Sequence, residues 1–107
     1  MAKVLGAFEQ AVLLAIVRLG DEAYGRAILK AVQTQLAREV AAGAVHATLE
    51  RLEAKELVIS RLEAGTPIRA GRARRFYQPT SAGVRALNDA RAAVDSLWRG
   101  LRWPLKG

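Results

Sequence analysis

Two short strand-like segments interrupt an otherwise helical pattern, and they constrain the fold more than any other feature of this sequence. Residues 57–64 (LVISRLEA) are short and β-branched, and residues 74–79 (RRFYQP) place an aromatic pair ahead of a proline. Between them, Gly65, Pro67 and Gly71 favour a long hairpin loop. Because helical periodicity dominates elsewhere, the sequence predicts a mostly α protein with one small β-hairpin, an α+β fold.

Three segments with helical spacing of apolar residues precede the hairpin. The first, residues 6–20, is apolar on nearly all sides, so it is predicted to be mostly buried and to end at Gly20. The second is predicted over residues 23–38, and the third over residues 42–55. On the third, the side chains predicted to face the core are Val45, Leu49 and Leu52. Those predicted to point elsewhere are Ala44, Ala47, Thr48 and Arg51.

A long helix is predicted over residues 81–103, after Pro79 ends the strand pairing and Thr80 supplies an N-cap. Its stripe recurs every three or four residues, a spacing typical of helices that pack lengthwise on a partner: Val84, Leu87, Arg91, Val94, Trp98 and Leu101. Part of it could fold back on the first helix. A second copy of the chain is the more economical partner, because 107 residues leave little spare core. We therefore predict a homodimer interface formed by this stripe and Phe8.

Positive charge is concentrated beside the hairpin. The chain carries 17 lysines and arginines against 10 aspartates and glutamates, a formal net charge of +7. No acidic residue occurs from Ala64 to Asn88, a segment whose cations are Arg69, Arg72, Arg74, Arg75 and Arg85. Such a balance favours polyanions, either nucleic acid or an anionic membrane surface. The first helix is apolar nearly all round rather than basic and amphipathic, which disfavours a membrane partner.

Catalysis and metal binding have little support in the sequence. There is no cysteine, His46 is the single histidine, and no glycine-rich phosphate loop is evident. We therefore predict no enzyme activity, no cofactor and no metal site. The longest apolar run, residues 11–17, is far shorter than the roughly 20 residues that span a bilayer. Since the N-terminus also lacks a signal-peptide pattern, a cytoplasmic location is predicted.

The order of these elements is that of a winged helix-turn-helix, in which the basic hairpin is the wing. Residues 1–79 are predicted as the DNA-binding domain and residues 80–107 as a C-terminal dimerisation helix. In such motifs the third helix enters the major groove of double-stranded DNA, and arginines on the wing tip meet phosphates or the minor groove. The residues predicted to contact DNA are Tyr24, Gly43, Ala44, His46, Ala47, Arg51, Arg69, Arg72, Arg74 and Arg75.

Two of these residues, and the domain as a whole, have alternatives. For Tyr24, packing against the sheet or the third helix is favoured over a phosphate contact. Arg51 could pair with the neighbouring Glu50 or Glu53 instead of reaching DNA. The domain could also be a winged-helix protein-interaction module without specific DNA binding. The focused charge on the wing argues against that alternative.

Three segments of the chain resemble the PadR family of bacterial winged-helix transcriptional regulators: residues 11–28 (AVLLAIVRLGDEAYGRAI), 43–58 (GAVHATLERLEAKELV) and 71–83 (GRARRFYQPTSAG). The resemblance implies a homodimeric regulator, usually a repressor, whose C-terminal helix builds the dimer. In some similar regulators, aromatic residues of that helix line a space between subunits that accepts flat, apolar ligands. Trp98 is therefore a candidate contact for a small apolar effector.

The sequence departs from the family pattern at several positions. Ala41 and Ala42 stand where a serine or similar residue usually caps the third helix, and a missing cap costs about 1 kcal/mol. His46 takes the place of a tyrosine that commonly helps to contact DNA, and Ala73 replaces a wing proline. Glu56 follows the third helix where a glycine is usual. These differences bear on the recognised DNA sequence rather than on the fold.

Overall fold

The computed structural model describes residues 4–65 and 73–107 of the chain, so the predicted DNA contacts Arg69 and Arg72 lie outside the described residues. The described elements follow the predicted order: α1 Ala7–Leu19, α2 Gly25–Leu36, α3 Ala42–Ala54, β1 Val58–Glu63, β2 Arg74–Pro79 and α4 Ser81–Trp98. The prediction of a mostly α fold with one β-hairpin wing is confirmed.

Helix α1 lies at the centre of the core and contacts α2, α3, β2 and α4. Its inward side chains are almost fully buried, among them Val12, Leu13 and Ile16. It ends at Gly20 as predicted, where a φ of +57° suits a residue without Cβ. The expectation of a mostly buried helix is wrong on one side, because Leu14 and Val17 remain 46% and 48% exposed.

Helix α2 begins at Gly25, two residues later than predicted, because the residues before it join the sheet. The Tyr77 N–H donates to the Ala23 carbonyl oxygen at 2.8 Å, and Tyr24 forms an antiparallel bridge with Phe76. Strand β2 therefore has β1 along one edge and this extended segment along the other. These backbone bonds connect the start of α2 directly to the wing.

The two strands pair antiparallel from Val58↔Pro79 to Glu63↔Arg74. Phe76 and Tyr77 point to opposite faces of the hairpin, yet both are buried, at 7% and 8% exposure. Tyr77 belongs to the main core, whereas Phe76 packs against the ring of Tyr24. One member of the aromatic pair thus packs into the core, and the other packs at the start of α2.

Helix α3 buries Val45, Leu49 and Leu52 as predicted. The prediction that Thr48 points elsewhere is wrong, since only 1% of it is exposed. Its buried hydroxyl is satisfied by a hydrogen bond from Arg51 Nη2 at 3.2 Å. Ala41 makes no side-chain capping bond, as predicted. Beyond the helix, Glu56 adopts a φ of +61°, the left-handed conformation in which glycine is usual.

Helix α4 begins as predicted, with the Thr80 hydroxyl accepting the Gly83 N–H at 3.0 Å. Gly83 packs so closely on the backbone of Leu57, the residue before β1, that a Cβ there would collide with the Leu57 carbonyl oxygen. The helix ends at Trp98 and not near residue 103, since the chain leaves helical geometry at Arg99 and Gly100 has a φ of +83°. Leu101 therefore lies beyond the helix whose apolar stripe it was predicted to continue.

Candidate nucleic-acid interface

A groove of about 910 Å³ opens between the start of α2, one face of α3 and strand β2. Apolar side chains form part of its lining: Leu29, Val45, Leu49 and Tyr77. The side chains there that can carry positive charge are Arg26, His46, Arg74 and Arg75. Among the described residues that line the groove, none is acidic. Cations around a cleft without carboxylates attract a polyanion.

Arg74 stands at one end of a row in which two adjacent aromatic rings lie between two cations. Its guanidinium carbon lies 4.1 Å from the centroid of the Tyr24 ring. Tyr24 meets Phe76 edge-on, with ring centroids 5.7 Å apart, and the Arg61 guanidinium carbon lies 5.1 Å from the Phe76 centroid. Cation–π contacts at exposed sites are worth about 0.5–1 kcal/mol each. Arg74 is thus half-buried and positioned at the groove by β2, not on the loop tip.

Arg75, the next residue of β2, is exposed but also held. Its Nη1 donates to the Ser60 hydroxyl oxygen at 3.0 Å, and that hydroxyl donates to the Glu53 carboxylate at 2.8 Å. This chain of bonds connects the wing to the last turns of α3. Burial raises the pKa of the nearby Tyr77 hydroxyl, while the charge of Arg75 acts in the opposite direction.

The predicted residues of α3 present a surface of mostly small side chains. Gly43, Ala44, His46 and Ala47 are all exposed, and a Cβ on Gly43 would meet no atom within 4 Å. Of these four, His46 is the one whose side chain has hydrogen-bonding groups. Its Nε2 lies 3.3 Å from Glu50 Oε1, and both side chains are largely exposed. Alanine can contact a thymine methyl group, whereas hydrogen bonds from these residues to base edges depend on His46.

Arg51 is on α3 but is directed away from the groove. Its Nε lies 3.4 Å from Glu9 Oε2 on α1, and its Nη2 donates to the Thr48 hydroxyl. Lys55 Nζ donates to the same Glu9 oxygen at 2.8 Å. Burial alone would raise the pKa of Glu9, but hydrogen bonds from Lys55, the Gly6 N–H and Arg51 lower it below its usual value. Arg51 does pair with a carboxylate, although it is neither of the two predicted from local sequence.

Arg26 lines the groove and was not identified from sequence. It lies in the first turn of α2, which contains no acidic residue. A cation at a helix N-terminus is disfavoured by the helix macrodipole. Arg26 follows a turn that carries two carboxylates and lies four residues after the second of them, Glu22. A cation at that position was the signal that could have identified it.

The residues predicted to form a dimer interface lie on a second surface. Along α4 and just beyond it, the exposed apolar side chains are Val84, Val94, Leu97, Trp98 and Leu101. Leu87 and Phe8 are half-buried and pack against the core. Arg91 is exposed, and its Nε lies 3.6 Å from Oδ2 of Asp95, one helical turn further along α4. All residues from Arg91 to Trp98 are exposed, so the second half of α4 extends away from the rest of the chain.

Within the described residues, no group of three or more histidine, aspartate or glutamate side chains is arranged to hold a metal ion. The helices in this part of the chain are also too short or too polar for any of them to cross a membrane.

Comparisons with known proteins identify the family and the fold. The transcriptional regulator PadR-like family profile matches residues 13–89. A PadR family transcriptional regulator from Eggerthella lenta has 28% identity and a TM-score of 0.65, over 83% of this chain and 75% of that chain. A PadR-like transcriptional regulator from Bacillus cereus has the same fold at 22% identity and a TM-score of 0.66, over 89% of this chain and 94% of that one.

The fold is also shared by BpsR of Bordetella bronchiseptica, whose DNA binding is regulated by 6-hydroxynicotinic acid. The identity is 21% and the TM-score 0.60, over 92% of this chain and 69% of BpsR. Comparison with curated protein sequences gives no match.

Proposed function

Because the chain belongs to the PadR-like family of transcriptional regulators, we propose that it binds operator DNA as a homodimer and represses transcription from that site. The observation that carries the proposal is the groove beside α3, where the described lining residues include four potential cations and no acidic residue. Members of this family are regulators rather than enzymes. The proposed location is the cytoplasm, where a regulator of this kind would meet its operator.

In the proposed complex, α3 enters the major groove and the wing lies on the adjacent backbone or in the minor groove. The small side chains of Gly43, Ala44 and Ala47 allow α3 to approach the base edges closely. His46 then supplies hydrogen bonds to a base or a phosphate. Arg74 and Arg75 need little reordering to meet phosphates, because both are already held by contacts within the protein. The predicted contacts Arg69 and Arg72 extend the same basic surface.

Dimerisation through α4 is supported by its exposed apolar side chains. Residues 80–107 contact the winged domain mainly through the first turns of α4, where Gly83 is buried. Beyond Asn88 the helix has almost no neighbours among the described residues, so Val94, Leu97 and Trp98 remain exposed. Contiguous exposed apolar surface of this kind marks a protein interface. A two-fold dimer would present two α3 helices to half-sites about one helical turn of DNA apart.

A small apolar effector is proposed to bind between the two α4 helices, in contact with Trp98. Support comes from the position of Trp98 within the exposed apolar surface, and from regulation of BpsR by an aromatic acid. A ligand that favours one separation of the α3 helices would change operator affinity. A coupling of roughly 1–3 kcal/mol changes that affinity about 5–150-fold.

The test is a binding titration of the purified protein against two duplexes at two salt concentrations. One duplex is selected by the protein from a randomised pool, and the other is a scrambled version of it. We expect the selected duplex to bind at least about 1,000-fold more tightly at physiological salt. Binding to both duplexes alike, with steep salt dependence, would reduce the protein to a non-specific DNA binder. Binding to neither would favour the protein-interaction module instead.

A further inference from the structure

Glu9 is the one charged residue in the core among the residues that the structure describes, at 7% exposure. It lies in the first turn of α1. The DNA-binding proposal does not use Glu9, which is not among the described residues that line the groove. A buried carboxylate is costly unless it is fully paired, so its contacts indicate what it does.

Each oxygen of the Glu9 carboxylate has a partner. Oε1 accepts the Gly6 N–H at 3.0 Å, which fixes the side chain within α1. Oε2 accepts Lys55 Nζ at 2.8 Å and lies 3.4 Å from Arg51 Nε. Arg51 also donates to the buried Thr48 hydroxyl, so the cluster extends along one side of α3. These four side chains, Glu9, Thr48, Arg51 and Lys55, form the α1–α3 ion cluster.

The ion cluster constrains α3 in a way that the apolar contacts between the helices do not. Apolar packing is non-directional, and it tolerates small slides and tilts of one helix on another. Charge-assisted hydrogen bonds have defined lengths and angles, so they fix the position of Arg51 and Lys55 along α1. Buried ion pairs often add little net stability, and their best-attested use is to specify one arrangement among several.

The constrained end of α3 is opposite the end that faces the groove. Arg51 and Ala44 are seven residues apart, which is about 10 Å along a helix. A tilt of about 10° around the ion cluster would move Ala44 by about 2 Å, given that separation. Hydrogen bonds to base edges tolerate only a few tenths of an ångström. The position of His46 and its neighbours against DNA therefore depends on how firmly the cluster holds α3.

From these contacts we infer that Glu9 is a positioning residue that holds the recognition helix α3 in its DNA-reading orientation and keeps Arg51 and Lys55 away from the phosphates. The inference rests on the proposed function, and it adds a specificity determinant outside the DNA-binding surface. Because α1 also contacts α4, the ion cluster connects the proposed dimer helix to α3. A change at the dimer interface that moved α1 would move α3 with it.

The test compares Glu9→Gln and Lys55→Gln, alone and combined, with the control Glu22→Gln. Glu22 is exposed in the turn after α1, so its variant makes the same charge change as Glu9→Gln without touching the ion cluster. The measured quantity is the ratio of affinities for the selected and scrambled duplexes, with each variant well below its melting temperature. We expect the ratio to fall about tenfold in each single cluster variant and to stay at the wild-type value in Glu22→Gln.

The double variant separates positioning from general loss of stability. If the pair acts as one unit, the combined loss should be about that of either single variant and not their product. The conservative variant Glu9→Asp, which keeps the charge but shortens the side chain, should recover part of the ratio. An unchanged ratio in a folded Glu9→Gln protein overturns the inference, as does multiplicative loss in the double variant.

Amide hydrogen exchange provides a readout that does not need DNA. In Glu9→Gln, exchange of the buried α3 amides should accelerate about tenfold relative to those of α2, whereas Glu22→Gln should leave both unchanged. A wild-type protein that selects no DNA sequence refutes the proposed function, and exchange then decides the positioning role alone. If the α3 amides of Glu9→Gln exchange as slowly as those of the wild type, the positioning role of Glu9 is overturned. If Glu9→Gln fails to fold, Lys55→Gln and Glu9→Asp carry both measurements.

Discussion

The groove beside α3 and the second half of α4 are both exposed, but their side chains are held very differently. At the groove, Arg74 stacks on Tyr24, and Arg75 is hydrogen-bonded to Ser60. On α4, every residue from Arg91 to Trp98 is exposed, and apolar side chains there face solvent. The groove side chains are thus held by contacts within one chain, whereas the α4 surface is not covered by the described part of the chain.

The difference follows from the chemistry of the two surfaces. Arginine side chains lose considerable conformational entropy when they are fixed, so contacts that hold them in advance reduce the cost of binding a phosphate. Apolar side chains gain free energy only when another apolar surface covers them, and the described part of this chain does not cover those of α4. A groove can be complete in a monomer, whereas an apolar helix face is complete only in an assembly.

The largest expected effect is on the α4 surface. Trp98→Ala should weaken the dimer severely, because truncating a buried tryptophan typically costs about 3–5 kcal/mol. The dimer dissociation constant should rise by about 100-fold or more, measured by sedimentation over a range of concentrations. The control is Trp103→Ala, since Trp103 is 77% exposed and lies beyond the end of α4. Equal dimerisation of both variants and the wild type would contradict the assignment of α4 as the interface.

A smaller effect is expected where the two regions join. Gly83→Ala should lower the free energy of unfolding by about 1–3 kcal/mol, because the added Cβ collides with the Leu57 carbonyl oxygen. Gly43→Ala is the matched control, since its Cβ meets nothing within 4 Å and should be neutral or stabilising by about 0.4–1 kcal/mol. Urea unfolding measures both. A Gly83→Ala protein as stable as the wild type would mean that α4 is not packed tightly on the Leu57 backbone.

At the groove, the effect of single arginines should be modest and dependent on salt. Arg74→Ala and Arg75→Ala should each weaken binding to all DNA sequences alike. Each should also make the negative slope of log affinity against log salt shallower by about one unit. The control is Arg18→Ala, an exposed cation on α1 that does not line the groove. Unchanged affinity in both single variants and in the double variant would show that the wing strand does not contact phosphate.

The smallest effect expected concerns Glu9 and pH. Its pKa is lowered in the folded state, so its stabilising contribution is present above the unfolded pKa, near 4.5, and is lost as pH falls through the lower folded value. The difference in unfolding free energy between the wild type and Glu9→Gln should therefore be largest at neutral pH and shrink in acid. Urea unfolding from pH 7 to pH 3 measures it. A difference that stays constant with pH would mean that the pKa of Glu9 is the same in the folded and unfolded states, so that the contacts with Lys55, Gly6 and Arg51 do not lower it.

Much of the fold could be predicted from sequence because its signals are local. The periodicity of α3, the cap at Thr80 and the β-branched and aromatic strands depend on near neighbours in the chain, and each prediction was confirmed. The failures have two different causes, one distant in the chain and one local. Tyr24 leaves the predicted start of α2 because Phe76, far along the chain, pairs with it. Leu101 leaves the predicted helix because Gly100 adopts a left-handed conformation.

The candidate site was less predictable, because what a side chain does there depends on residues from other elements. Arg51 has the type and position of a DNA contact, but Glu9, 42 residues earlier, draws it away from the groove. Arg26 has no motif around it, and its relevance emerges only when α2 is placed beside the wing. The sequence gives the charge and type of each residue. It does not give the direction in which a long side chain points, because that direction depends on residues from other elements.

By itself, the sequence determined the type and order of the elements, the concentration of arginines beside the hairpin, and the resemblance to the PadR family. Only the tertiary structure decided that Arg74 and Arg75 are held at the groove, that Glu9 is buried against Arg51 and Lys55, and that the second half of α4 has no cover within the described chain. The physical reason is one of range. Periodicity and caps act over three or four residues, whereas ion pairs, cation–π contacts and burial depend on groups that approach each other only after the chain has folded.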